Sequence, residues 1–395
     1  VIGLSLAWEL RRRGLGTLVL DQGQAGQGCS WAGAGILPPA RLETALDPID
    51  RLRGLSHQRY PAWTAMLCEE TGIDPQFQRC GGIYLARTPG ELASLVGQAE
   101  YWREYGIDAF PLTKADLCRR EPALAACLEK LRFREPLEQA TPRHSSRPPF
   151  GAEENNAEEK ATLRGSAAAW WVPDECQVRP PRLLKALLAA CRGAGVRVLE
   201  KTPVEELLMA SGSARVHGVK NASGEFHADH VVLCCGPWSC SFADPRGRLE
   251  NVYPVRGQVV LYRGKPGLLT AVINEGNRYL VPRLDGRIYV GSSEEEVGFE
   301  PGTTAEVIEG LSRWGEGLLP ALCEIPREMV FSGFRPGSFD GFPYIGRWEG
   351  LENLYVASGH FRSGLHFSVG TAIVLAELIL GDVPSIPLDA FRVGR

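Results

Sequence analysis

Five glycines fall within Gly23-Gln-Ala-Gly-Gln-Gly-Cys-Ser-Trp-Ala-Gly-Ala-Gly35. A run of this kind brings backbone amides close to a ligand and suits a phosphate. Ahead of it, Val1-Ile2-Gly3 opens a helical pattern, and the apolar strand Thr17-Leu-Val-Leu20 ends in Asp21. Glycine, helix, strand and terminal acid form the latter half of a G-x-G-x-x-G dinucleotide fingerprint. There a helix N-terminus faces the pyrophosphate and the carboxylate takes ribose hydroxyls. Only the third glycine is present, and an ordinary helix–strand pair has the same pattern. A first, central strand is expected ahead of Val1, so the sequence reads as a truncated chain.

A second set of residues could hold a small anion. Arg335 is followed by Pro336, which keeps it out of the helical region so that its guanidinium projects from an extended segment. A guanidinium meets a carboxylate bidentately, although an intrachain ion pair is the commoner fate of any one arginine. Tyr279 lies in an alternating strand with Arg278 and Leu280 facing the other way, where a tyrosine more often simply packs. Arg362 precedes the last helix, where a cation is electrostatically unfavourable, which points to a role beyond helix entry. Cys235 has no local His and acid to make it a nucleophile.

These residues need a scaffold, and the periodicities supply one. Helical patterns cover the first turns, 44–72, 91–106, the segment after Pro180-Pro181, 304–322 and 365–380. Short apolar β runs lie at 81–86, 196–199, 230–235 and 354–357, and 252–290 reads as antiparallel strands between Gly turns. The expected fold class is α/β, a nucleotide-binding domain interleaved with a mixed antiparallel-sheet domain that carries the substrate. The segments are 1–80, 167–240 and 326–395 for the first, and 81–166 and 241–325 for the second. Pro, Ser, Arg and Glu dominate about 129–164, which reads as a disordered insertion.

Composition narrows the class further. The chain has 395 residues, 43 Lys+Arg against 47 Asp+Glu, and a net charge of −4, a balance that excludes a polybasic nucleic-acid binder. The apolar stretch 369–380 is short and contains Glu377, so it reads as a core helix and no membrane partner is expected. Eleven cysteines without a C-x-x-C pair argue against both a disulfide framework and zinc. Most are expected to be small buried hydrophobes in a reducing cytoplasm, and no metal is expected. The 45 glycines exceed the roughly 28 that average usage gives.

Asp21 followed by Gly26-Gln-Gly-Cys-Ser-Trp-Ala-Gly-Ala-Gly-Ile-Leu37 resembles the second flavin motif of the D-amino-acid-oxidase superfamily. Within it the chain is most similar to the glycine oxidases of thiamine biosynthesis. The same likeness runs through Gln177-Val-Arg-Pro-Pro-Arg182, Tyr253-Pro-Val-Arg-Gly-Gln258, Tyr279-Leu-Val-Pro-Arg283, Gly333-Phe-Arg-Pro-Gly337 and Gly359-His-Phe-Arg-Ser-Gly-Leu365.

The resemblance implies a Rossmann-like domain holding noncovalent FAD, since no Cys lies in 331–344. It places Val1, Ile2, Gly3, Asp21, Gln22, Cys29, Ser30, Ala34, Gly35, Ile36, Val204, Cys235 and Gly236 on the cofactor. It does the same for His360, Phe361, Arg362, Ser363, Gly364, Leu365 and His366, with the last helix directing its N-terminus at the flavin. Arg335 and Tyr279 would bind the substrate carboxylate, and Arg362 would lie near the substrate or flavin edge. Two positions depart from the pattern: Glu294, where an apolar pocket residue is more usual, and His366, where an aliphatic one is. Glu294 could meet a substrate ammonium or N-substituent, or be solvated.

The implied activity is oxidative deamination of glycine, and of sarcosine or small D-amino acids. It consumes dioxygen and releases hydrogen peroxide, and its imine product would supply thiazole synthesis. A dehydrogenase using another electron acceptor and a non-enzymatic chain unable to retain FAD are the rivals. A small amino acid, dioxygen and a second copy in a homo-oligomer are the expected partners.

Overall fold

The computed structural model describes residues 1–128, 168–209, 213–241 and 251–395. The expected insertion at 129–164 lies outside the described residues.

Helix Ile2–Arg12 buries Leu4, Leu6, Ala7 and Leu10 and carries Arg11 and Arg12 in its last turn, where cations suit the dipole. It packs on helix Pro180–Gly193 and on the last helix, Gly364–Leu380. The stretch Phe361–Leu380 is long and apolar enough to cross a bilayer by length and composition. Here it is held between Ile2–Arg12 and the long helix Pro48–Thr71, most of it buried, as a core helix. Asp47 caps the long helix by accepting from the Ile49 amide, and Gly72 ends it at φ 68°.

Strand Leu18–Leu20 pairs in parallel with Arg197–Leu199. Strand Val231–Leu233 pairs in parallel with Leu354–Ser358, whose other edge takes Tyr344–Arg347 antiparallel. These two groups are separate sheets among the described residues, and both border one cavity.

The second unit is an eight-stranded sheet. Its order is Arg327–Ser338, Val252–Arg263, Arg287–Gly291, Arg278–Pro282, Val272–Glu275, Gly82–Leu85, Ala169–Val172 and Phe110–Pro111. All neighbours are antiparallel except Val272–Glu275 with Gly82–Leu85. Alternation splits its faces. Ile83, Val260, Ile273, Leu280, Ile288 and Val290 pack with helix Ala305–Leu318 through Ile308, Leu311, Trp314 and Leu318. Val259, Val272, Tyr279, Val281 and Tyr289 turn the other way, toward Ala34.

Three sequence expectations change. Strands Arg327–Ser338 and Ala169–Val172 are hydrogen-bonded into the large sheet, so the segment boundaries at 326 and 167 do not coincide with the sheet boundaries. A three-stranded antiparallel meander, Glu206–Met209, Val216–Asn221 and Gly224–His227, was not expected. Its alternation is masked by the charged residues of a half-exposed sheet. The eleven cysteines are all free, but only Cys127, Cys176 and Cys191 are buried, and Cys323 is exposed.

Candidate active site

The glycine loop, the starts of helices Ile2–Arg12 and Gly364–Leu380, and the inner face of the eight-stranded sheet enclose a cavity of about 1790 Å³. Asp21 and Gln22 reach it from the end of strand Leu18–Leu20, and Asp21 Oδ1 accepts from the Gly23 amide at 2.9 Å. Val1, Ile2, Gly3, Cys29, Ser30, Ala34, Gly35 and Ile36 line it, as do Val204, Cys235 and Gly236. The Val1 nitrogen donates to Ser30 Oγ at 3.0 Å.

The loop glycines divide by role. Gly28 and Gly236 leave open space where a side chain would stand. Gly33 and Gly35 instead permit close contact within the protein. A Cβ at Gly33 would overlap Leu365 Cδ1, and one at Gly35 (φ 70°) would overlap the Val178 carbonyl oxygen.

Arg283, 6% exposed, fastens this loop to the sheet. It donates to Ala34 O at 2.6 Å, Val178 O at 3.0 Å and Gln177 Oε1 at 2.7 Å. Burial lowers its pKa to about 10.

The last helix begins at the cavity with no acidic residue in its first turn and no side-chain cap, so its first amides and positive dipole end are free for an anionic group. His360, Phe361, Arg362, Ser363, Gly364, Leu365 and His366 all line the cavity here. His360 is buried and its Nε2 lies 3.1 Å from Thr371 Oγ1. Burial pushes its imidazole down to about 3. Burial, with His57 and Arg53 nearby, also holds His366 well below the usual histidine range. Its Nε2 is buried without a partner among the described residues. Both histidines are therefore neutral at pH 7.

On the sheet side, the Arg335 guanidinium donates to Ser292 Oγ at 2.8 Å and to Ser293 O at 3.1 Å. Among the described residues no carboxylate pairs with it, so its remaining donors face the cavity. Tyr279 is 9% exposed, and its ring lies on Gly291, where a Cβ would stand 3.0 Å from Cε2. Gly291 precedes Ser292, so Tyr279 and Arg335 converge on one corner.

Arg362 donates to Glu294 Oε2 at 3.0 Å and to Asn277 O at 2.8 Å. Glu294 is exposed and outside the cavity lining, so its carboxylate meets solvent and the Arg362 guanidinium. Tyr84, Asn274 and Gly257 also line the cavity, and sequence reading missed all three. The Gly81-Gly82 pair beside Tyr84 was the available signal.

The cavity joins a backbone cradle to a corner formed by the Arg335 guanidinium and Tyr279, so it has room for an extended dinucleotide with a small anion against one end. Away from it, His57, Asp174 and Cys176 bring their ligand atoms within 4.8 Å of one another, unforeseen where no metal was expected. Arg79 Nε lies 2.9 Å from Asp174 Oδ1 and neutralises that carboxylate.

A family model described as FAD dependent oxidoreductase matches residues 1–378. A glycine oxidase from Pseudomonas aeruginosa is 31% identical over 397 residues, covering 100% of this chain and 97% of the relative. A bifunctional protein ThiO/ThiG from Synechocystis is 29% identical over all of this chain and 52% of its own length. The crystal structure of glycine oxidase from Geobacillus kaustophilus superposes with a TM-score of 0.83 at 28% identity, covering 100% of this chain and 96% of that one.

Proposed function

Because the chain belongs to the FAD dependent oxidoreductase family, we propose that it oxidises glycine to the imine, which water converts to glyoxylate and ammonia. The enzyme is an FAD-dependent amino-acid oxidase. Bound FAD supplies the two-electron acceptor, which dioxygen reoxidises with release of hydrogen peroxide.

The observation that carries the reading is Arg335, a half-buried guanidinium facing the cavity with only neutral partners among the described residues. It holds the substrate carboxylate, and Tyr279 adds its hydroxyl beside it. That grip would orient the α-carbon toward bound FAD, so orientation is the main contribution of the sheet. With FAD bound, the first amides of helix Gly364–Leu380 would stabilise negative charge on it. With His360 and His366 neutral, that stabilisation comes from the helix end and not from an imidazolium. Arg362 ties the cofactor side to the turn at Asn277.

FAD would be held by the residues assigned to it from sequence, within a unit built from 1–80, 167–240 and 326–395 apart from the strands given to the large sheet. The imine feeds a thiazole-forming reaction, the protein works in the cytoplasm as a homo-oligomer, and the free thiols fit a reducing compartment.

The test is glycine-dependent peroxide release under air, with Arg335→Ala as the diagnostic variant. The expected outcome is a KM for glycine raised at least about tenfold with FAD content retained, since a charge-assisted bond contributes about 1.5–3 kcal/mol. Wild-type kinetics in the variant would remove Arg335 from the site.

A further inference from the structure

Resting on that reading, we propose that the cavity continues beyond the glycine site into a subsite, walled by Tyr84 and Asn274, that selects a substrate substituent ending in a hydrogen-bond donor.

The sheet register sets the layout. Tyr84, Asn274, Tyr279 and Gly291 are successive partners across four adjacent strands and so share one face of the sheet, on which Tyr84, Asn274 and Tyr279 line the cavity. Arg335 lies past the Gly291 end of this row, over Gly257. Neighbouring strands are about 4.8 Å apart, so Asn274 stands about 10 Å from Gly291. Glycine held on Arg335 does not span that distance, and Gln98, Tyr101 and Trp102 line the cavity beyond it.

Glu175 decides the chemistry. Its side chain is fully buried, with Oε2 accepting from the Tyr84 hydroxyl at 2.5 Å and Oε1 from Asn274 Nδ2 at 2.9 Å. Gly82 makes the room, since a Cβ there would stand 2.6 Å from Glu175 Cδ. The Tyr84 proton is committed to Glu175, and so is an amide hydrogen of Asn274. The Tyr84 oxygen and Asn274 Oδ1 are then left to the cavity as acceptors. Charge agrees with this polarity. Arg53, at the same end, is ion-paired with Asp50, whereas Glu175 has no cationic partner among the described residues. With Glu175 ionised, as at the pH of the assay below, the group carries one net negative charge.

The matching class is an amino acid whose side chain, about four atoms long, ends in an ammonium or another donor.

The holoenzyme is assayed at pH 8 with glycine, D-lysine, D-norleucine and D-glutamate. D-Lysine is expected to exceed D-norleucine in kcat/KM by about tenfold or more. Asn274→Leu and Glu175→Gln should each bring that ratio to within about twofold, with the loss in KM. In parallel, D-lysine should raise the melting temperature of the wild-type holoenzyme more than D-norleucine does. Equal values for D-lysine and D-norleucine, or a preference for D-glutamate, overturn the subsite. Failure to oxidise glycine defeats the reading beneath it, and the melting shifts then still decide the subsite by themselves.

Discussion

The Arg335 guanidinium rests on Gly257, so closely that a Cβ at position 257 would overlap Nη2. The two residues lie on neighbouring strands, and the absent side chain gives the arginine its bed. Gly257→Ala should therefore push the guanidinium off the Ser292 and Ser293 oxygens. The expected result is a KM for glycine raised about tenfold or more, with kcat changed less and bound FAD retained. An unchanged KM would show that this bed does not set the arginine's position.

Gly35 combines φ 70° with contact against the Val178 carbonyl. Gly35→Ala meets both penalties and should cost at least about 2 kcal/mol. Melting temperature and FAD retained after dialysis should fall together.

Arg283 makes three hydrogen bonds inside the protein, two of them to backbone carbonyls of the cofactor loop and of the chain beside it. Arg283→Met leaves those acceptors unpaired at a cost of about 3 kcal/mol. Arg283→Lys should restore only part, because one ammonium cannot reproduce the fork. Flavin released on dilution is the measurement, and the expected order is Met, then Lys, then wild type.

Burial raises the Glu175 carboxyl from its ordinary 4.5 to about 7, against the opposing hydrogen bonds from Tyr84 and Asn274. Between those values the folded chain holds a proton that the unfolded chain has released. Stability from this group is thus complete below about 4.5 and is lost as pH rises through about 7, a total of about 3 kcal/mol. Glu175→Gln should flatten that decline and melt higher than wild type at pH 8. A wild-type-like pH profile in the variant would place the titration elsewhere.

In the Arg362–Glu294 pair the arginine side chain is 28% exposed and the glutamate side chain 42%. Glu294→Ala should cost under about 1 kcal/mol, and less in high salt. Thermal melts at two ionic strengths check both.

Much of this was legible because local rules and the fold agree. The helix after Gly3, the strand ending at Asp21 and the extended Arg335-Pro336 carry their signal in residue type and spacing. The glycine surplus reads as sharp turns or close approach to a ligand, and here the sequence was only half explicit. Gly33, Gly35, Gly82 and Gly257 make room for Leu365, Val178, Glu175 and Arg335, all distant in the chain. Tyr84 and Asn274 were missed for a related reason. They become neighbours through a parallel pairing between residues nearly two hundred positions apart, which no periodicity announces. Glu294 could not be paired with Arg362 before the sheet and the last helix were brought together.

Strand Arg327–Ser338 is the outermost of its sheet. Among the described residues Arg335 is thus carried by a ladder bonded on one flank only, with Met329 and Val330 exposed along the same strand. Interior strands are clamped from two sides, but this one can fray or be tugged from the rim. On the role proposed for Arg335, affinity for the amino acid then depends on an edge strand, and a contact at the molecule's perimeter is expected to change substrate grip.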